Sequence, residues 1–126
     1  MDMNGIKAIL FDSGRTLNIP STGHWFITPN FVNIVTNSKF IYSEEQLDNA
    51  MTKACEHINK TLLVESEEHE FSIFKEFYEI VLTEIKYPCI NNEIVELLAR
   101  DNVYNDEKFL FFDDVAPSLI KLKEKC

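Results

Sequence analysis

Asp12 is the residue whose setting most plainly invites chemistry. Ile6 to Phe11 (IKAILF) is a nearly continuous apolar run that stops at Asp12, and Ser13, Gly14, Arg15 and Thr16 follow at once. An aspartate is ionised near neutral pH, so its oxygens can ligate a hard cation or attack an electrophilic phosphorus or carbon. Gly14 allows close approach of the backbone to a ligand, and the Thr16 hydroxyl can hold the turn by bonding to the loop's own backbone. A carboxylate at the carboxyl end of a parallel-type strand also stands where open α/β sheets bind their ligands. The plain alternative is an aspartate that merely ends a strand.

Other polar clusters invite less. His57 beside Glu56, and His69 between Glu68 and Glu70, lack the helical spacing of a metal motif, because positions 54, 66 and 73 are Ala, Ser and Ile. They are expected to face solvent. The acids from Glu65 to Glu70 suit a helix N-terminus, where the dipole favours negative charge. His24 and Trp25 follow the Asp12 loop closely, so they are candidates either for ligand recognition or for anchoring that loop.

The elements that must position these groups follow from spacing. Residues 6–11 read as a strand covered on both faces. Pro29 opens a short helix through Asn37. Ser43 and Gln46 form a capping-box pattern before apolar residues at helical intervals, which predicts a helix over 43–62 with Leu62 on its buried face. Phe71, Phe74, Tyr78, Val81 and Ile85 predict a long helix over 66–86 that Pro88 terminates. Asn91 or Asn92 caps a third helix to about Asn102. A last helix over 113–125 starts at Asp113 or Asp114 and buries Leu119, Ile120 and Leu122. FLFF at 109–112 is a short, ambiguous second strand. A single buried-type strand leaves its amides unpaired, so partner strands are expected from outside the chain.

Composition narrows the class. A chain of 126 residues with 45% hydrophobic content matches one ordinary domain or a part of one. The 12 basic and 21 acidic residues give a net charge of −9, which disfavours binding to nucleic acid or to anionic membrane surfaces. Local donors or a metal can still hold a small anionic substrate. Three cysteines, Cys55, Cys89 and Cys126, form no C-x-x-C pair and read as reduced, mostly buried thiols. No apolar run is long enough for a membrane span, so a cytoplasmic location is expected.

KAILFDSGRTL resembles the first motif of the haloacid dehalogenase (HAD) superfamily, an apolar strand followed by Asp-x-Asp-Gly-Thr-Leu or a variant. The resemblance implies an α/β fold. Its HAD-like Rossmannoid core would be split between 1–18 and 105–126, with only the first strand and an adjoining helix present. An α-helical bundle cap would fill 19–104. It also implies a Mg²⁺-dependent phosphatase acting on a small phosphorylated metabolite. Asp12 would be nucleophile and metal ligand, and Gly14 would supply a main-chain oxygen to the metal. Ser13, Arg15, Thr16, His24 and Trp25 would be substrate contacts, although Arg15, which replaces the family's usual small residue, could equally point into solvent.

Gly14 stands where the family carries its acid/base aspartate, and general acid catalysis typically contributes about 10² to 10⁴ in rate. Aryl or acyl phosphates should therefore be hydrolysed far faster than alkyl phosphates. Dehalogenase-type or phosphonatase-type chemistry is an alternative, the latter through a Schiff-base lysine such as Lys53 or Lys60. A non-catalytic helical binding module is another. The family's remaining motifs would lie beyond Cys126, so the resemblance implies the first half of a longer protein. Such a piece would be inactive alone and disposed to self-associate or to pair with its other half.

Overall fold

Ser43 starts the first long helix by the reciprocal capping its sequence predicts. Its hydroxyl accepts from the Gln46 N–H at 3.1 Å, and the Gln46 side chain accepts from the Ser43 N–H at 3.0 Å. The computed structural model describes residues 5–36 and 39–125, the Thr36 side chain excepted. The elements are β1 (Asn18–Pro20), α1 (Pro29–Phe31), which widens into a π-helical turn over Val32–Thr36, α2 (Glu44–Ile58), α3 (Glu67–Glu84) and α4 (Asn92–Tyr104). A 3₁₀ turn (Asp106–Lys108), β2 (Phe109–Phe111) and α5 (Val115–Lys125) complete them. The described chain is mostly helical, with one small sheet of two strands.

Helix α3 is the centre of packing between α2 and α4. Phe77, Tyr78, Val81 and Leu82 of α3 are fully buried. Ala50 and Ala54 of α2 and Ala99 of α4 are buried with them, their small side chains allowing close approach of the helices. Phe31 of α1 and Leu98 of α4 complete this apolar centre. Ser66 and Asn91 cap α3 and α4 through their side chains. The end of α3 is a Schellman turn: the Tyr87 N–H reaches the Leu82 carbonyl at 2.9 Å, and the Lys86 N–H reaches that of Thr83 at 3.1 Å. Lys86 takes the left-handed conformation (φ 60°) that the turn requires. The helix thus stops before Pro88, by a turn rather than by the proline.

Several expectations are corrected. Residues 6–11 join no ladder among the described residues, and Leu10 is 96% exposed. A strand is held by its partners, and none is paired with this run. The strands that form are β1 and β2, antiparallel, with Asn18 opposite Phe111 and Pro20 opposite Phe109. Helix α2 ends at Ile58, leaving Leu62 97% exposed instead of on a buried face. Leu119 and Ile120 of α5 are exposed and Leu122 is half-buried, so the apolar face of that helix is left largely uncovered among the described residues. Cys89 is exposed and Cys55 half-buried, and Cys126, like Asn37, lies outside the described residues. No described helix is long and apolar enough to cross a membrane.

Candidate functional site

The Asp12 loop is organised around one carbonyl. The Ser13 oxygen accepts from the N–H groups of Thr16 (3.3 Å), Leu17 (2.9 Å) and Asn18 (3.4 Å). The Arg15 N–H donates to the Asn18 carbonyl at 2.7 Å, and the nearly buried Asn18 side chain donates to the Ser13 hydroxyl at 3.2 Å. Arg15 sits at φ 63°, a left-handed position that its side chain tolerates only at some cost in strain. This tight loop runs directly into β1. It is tied to the second strand region by the Phe112 N–H, which donates to the Leu17 carbonyl at 3.2 Å.

Within the loop the Thr16 hydroxyl donates to Asp12 Oδ2 at 3.4 Å, across an exposed surface. The carboxylate is therefore presented to solvent. Among the described residues it enters no ion pair. Thr16 and Leu17 also border a hollow of about 160 Å³ shared with Asp114 and Ser118 at the start of α5. The Asp114 carbonyl accepts the first helical bond there, from Ser118 at 3.0 Å, as expected of the residue that begins that helix.

Trp25 holds the loop from beneath. A β-carbon built on Gly14 would meet the Trp25 ring at 3.4 and 3.5 Å, which is ordinary contact. The same ring packs edge-on against Phe109 of β2, with centroids 5.9 Å apart. Gly14 thus lies over an indole, and any longer side chain there would have to run along that ring.

Ser13, Arg15, Thr16 and Trp25 are brought together with Asp12 and Gly14 in one loop and its support. His24 is placed differently. It lines a separate hollow against α2, and its Nδ1 accepts from the Phe26 N–H at 3.1 Å. Among the described residues no hydrogen bond or ion pair joins it to Asp12. The helical histidines do more than face solvent. His57 Nε2 lies 2.7 Å from Glu76, and His69 Nδ1 accepts from the Glu65 N–H at 3.2 Å. Lys53 is 2.8 Å from Glu84.

Asp12 and the Gly14 carbonyl offer hard oxygen donors, which fit Mg²⁺, an ion that takes one or two carboxylates and keeps several waters. Among the described residues no group of three His, Cys, Asp or Glu side chains gathers around them or elsewhere. The remainder of such a coordination shell would come from water or from other groups.

Two charged residues with strong environments escaped the sequence reading. Asp101 is buried and accepts from the Asn30 N–H (2.9 Å), the Asn30 side chain (3.0 Å) and the Asn105 side chain (2.6 Å). Lys108 donates to the Asn102 carbonyl and lies 4.6 Å from the centre of the Phe109 ring, and its burial lowers its pKa. The tie of Asp101 to Asn30 has no local sequence signal, since the two lie 71 positions apart. No protein-family model matches the chain at a significant level, and neither a curated protein nor a solved structure does.

Proposed function

We propose that this chain carries the nucleophile loop and helical cap of a HAD-like hydrolase, a Mg²⁺-dependent phosphatase for a small phosphorylated metabolite. The reading rests on one observation above the others: an exposed Asp12 carboxylate bonded to the Thr16 hydroxyl, in a loop clamped on the Ser13 carbonyl. A supporting feature is the pairing of β1 with β2 across the intervening helices, a two-stranded stem from which 19–104 extends as a cap. The core assigned to 1–18 and 105–126 belongs to the same proposal.

In this scheme an Asp12 oxygen attacks the phosphorus of a phosphate monoester. The bond to the leaving oxygen breaks and its electron pair departs with the alcohol, which takes up a proton. Water then attacks the phosphorus of the aspartyl phosphate, releasing inorganic phosphate and restoring Asp12. A bound Mg²⁺ would neutralise charge on the phosphoryl oxygens. Thr16 orients the carboxylate, and Arg15, at the loop's strained position, presents a cation to the incoming anion. Gly14 provides no acid, so the leaving group must be a good one.

Hydrolysis of p-nitrophenyl phosphate and of an alkyl phosphate by the full-length protein with Mg²⁺ tests the scheme. The aryl ester is expected to react faster by about 10² or more. Asp12→Asn is expected to remove at least about 10³ of that rate with its circular dichroism unchanged. An unaltered rate in Asp12→Asn would overturn the assignment and favour a non-catalytic binding module. For the phosphonatase alternative, Lys53 is paired with Glu84, and Lys60 remains the other candidate for the Schiff base.

A further inference from the structure

The hollow that His24 lines lies outside the Asp12 chemistry. It measures about 500 Å³, within the range of small-molecule sites, and it opens between the His24–Phe26 loop and one face of α2. Trp25, Phe26 and Met51 give it apolar walls, and Asp48 and Glu56 stand on its border. The two acids are eight positions apart on one helix, about 12 Å along its axis. That separation is too great for both to ligate one metal ion, but it places negative charge at two points around a cavity with an aromatic wall.

No lysine or arginine lines the hollow. Two lysines flank the lining residues in sequence: Lys53, which is turned to Glu84, and Lys60, next to Asn59, which does not line the hollow; His57 is paired with Glu76. Neither Asp48 nor Glu56 enters an ion pair among the described residues. The Nδ1 of His24 is occupied as an acceptor from Phe26, which puts the ring's proton on Nε2. The hollow is therefore apolar in its walls and anionic at its border, a combination that attracts a flat organic cation and repels a phosphate.

From these contacts we infer that the hollow between the His24–Phe26 loop and α2 binds a small organic cation with an aromatic or similarly flat apolar body, its flat face at Trp25 and its ammonium held in the negative field that Asp48 and Glu56 set up around the cavity, without contact to both. This binding is independent of whether Asp12 acts as a nucleophile.

Trp25 is the single tryptophan of the chain and reports on its own pocket. The probe is 2-phenylethylamine, titrated into the full-length protein while tryptophan fluorescence is followed, with 2-phenylethanol and 3-phenylpropionate as neutral and anionic counterparts. The amine is expected to give a saturable change with a Kd of about 1 mM. The alcohol and the carboxylate are expected to bind at least about five-fold more weakly, and the Asp48→Asn, Glu56→Gln double variant should lose about five-fold in amine affinity. Both substitutions fall at exposed helix positions, so the fold is retained and circular dichroism verifies it. Equal binding of amine and alcohol, an unchanged Kd in the double variant, or no saturable change up to ten times the expected Kd would each overturn the inference.

Discussion

At the scale of single residues, Tyr78 shows how burial turns an ordinary group into a pH-dependent one. Its hydroxyl donates to the Phe26 carbonyl at 2.8 Å and accepts from the Asn102 side chain at 2.9 Å, deep in the apolar centre. Burial raises its pKa well above the ordinary value of 10. The folded state therefore holds a proton that the unfolded chain releases above about pH 10, and stability falls as pH rises past that point. Denaturant midpoints measured from pH 8 to 11 are expected to decline at the alkaline end. Tyr78→Phe should show a lower midpoint at pH 8 and a shallower alkaline decline, whereas an equally steep decline would assign the effect to other groups. That Asp12, Gly14 and Thr16 share one loop was legible because they lie within five positions, but the Thr16 hydroxyl bonds the Asp12 carboxylate and not, as expected, the loop's backbone. The phenol of Tyr78 was legible only as part of an apolar stripe, since its partners come from two other segments.

Among elements, helices were readable and strands only in part, for a physical reason. The starts of α2, α3 and α4 are fixed by Ser43, Ser66 and Asn91, each bonded to an N–H three positions on. Such caps are visible in a sequence. The run 6–11 has strand composition, but pairing is decided by distant residues: the paired strands are 109–111, inside the run read as an ambiguous strand, and 18–20, which has no such composition. The tie between α1 and α4 is equally non-local. Thr28 makes no side-chain cap for α1, and Asp101 of α4 supplies the missing acceptor to Asn30. Replacing Asp101 by Asn would exchange one of the two oxygens that accept from these three N–H groups for an NH2 group that faces them as a donor. A loss of about 2 kcal/mol in unfolding free energy is expected from denaturant titration, and a loss below about 0.5 kcal/mol would show the tie to be dispensable.

On the scale of the whole molecule, two surfaces of different character emerge. The α2–α3–α4 centre is covered, whereas Leu10, Phe111 and Ile120 stand 96%, 66% and 59% exposed around the Asp12 loop and α5. Exposed apolar surface of this extent favours association, and the expected partner strands are reason to propose it here. Sedimentation of residues 1–126 should show mass rising with concentration, and Leu10→Lys with Phe111→Lys should return it to the monomer. A wild-type monomer at all concentrations would contradict that proposal. The helical arrangement was accessible from periodicity, while the exposure of α5 was not, because an amphipathic stripe predicts burial whether or not a neighbour is present to receive it.

The most direct measurement is chemical trapping at Asp12. An aspartyl phosphate is an acyl phosphate, and borohydride reduces it to the alcohol, converting the residue to homoserine. Full-length protein turning over an aryl phosphate with Mg²⁺ and quenched with borohydride is expected to carry homoserine at position 12 and at no other aspartate. An unmodified Asp12 in protein that is demonstrably hydrolysing the substrate would contradict the account.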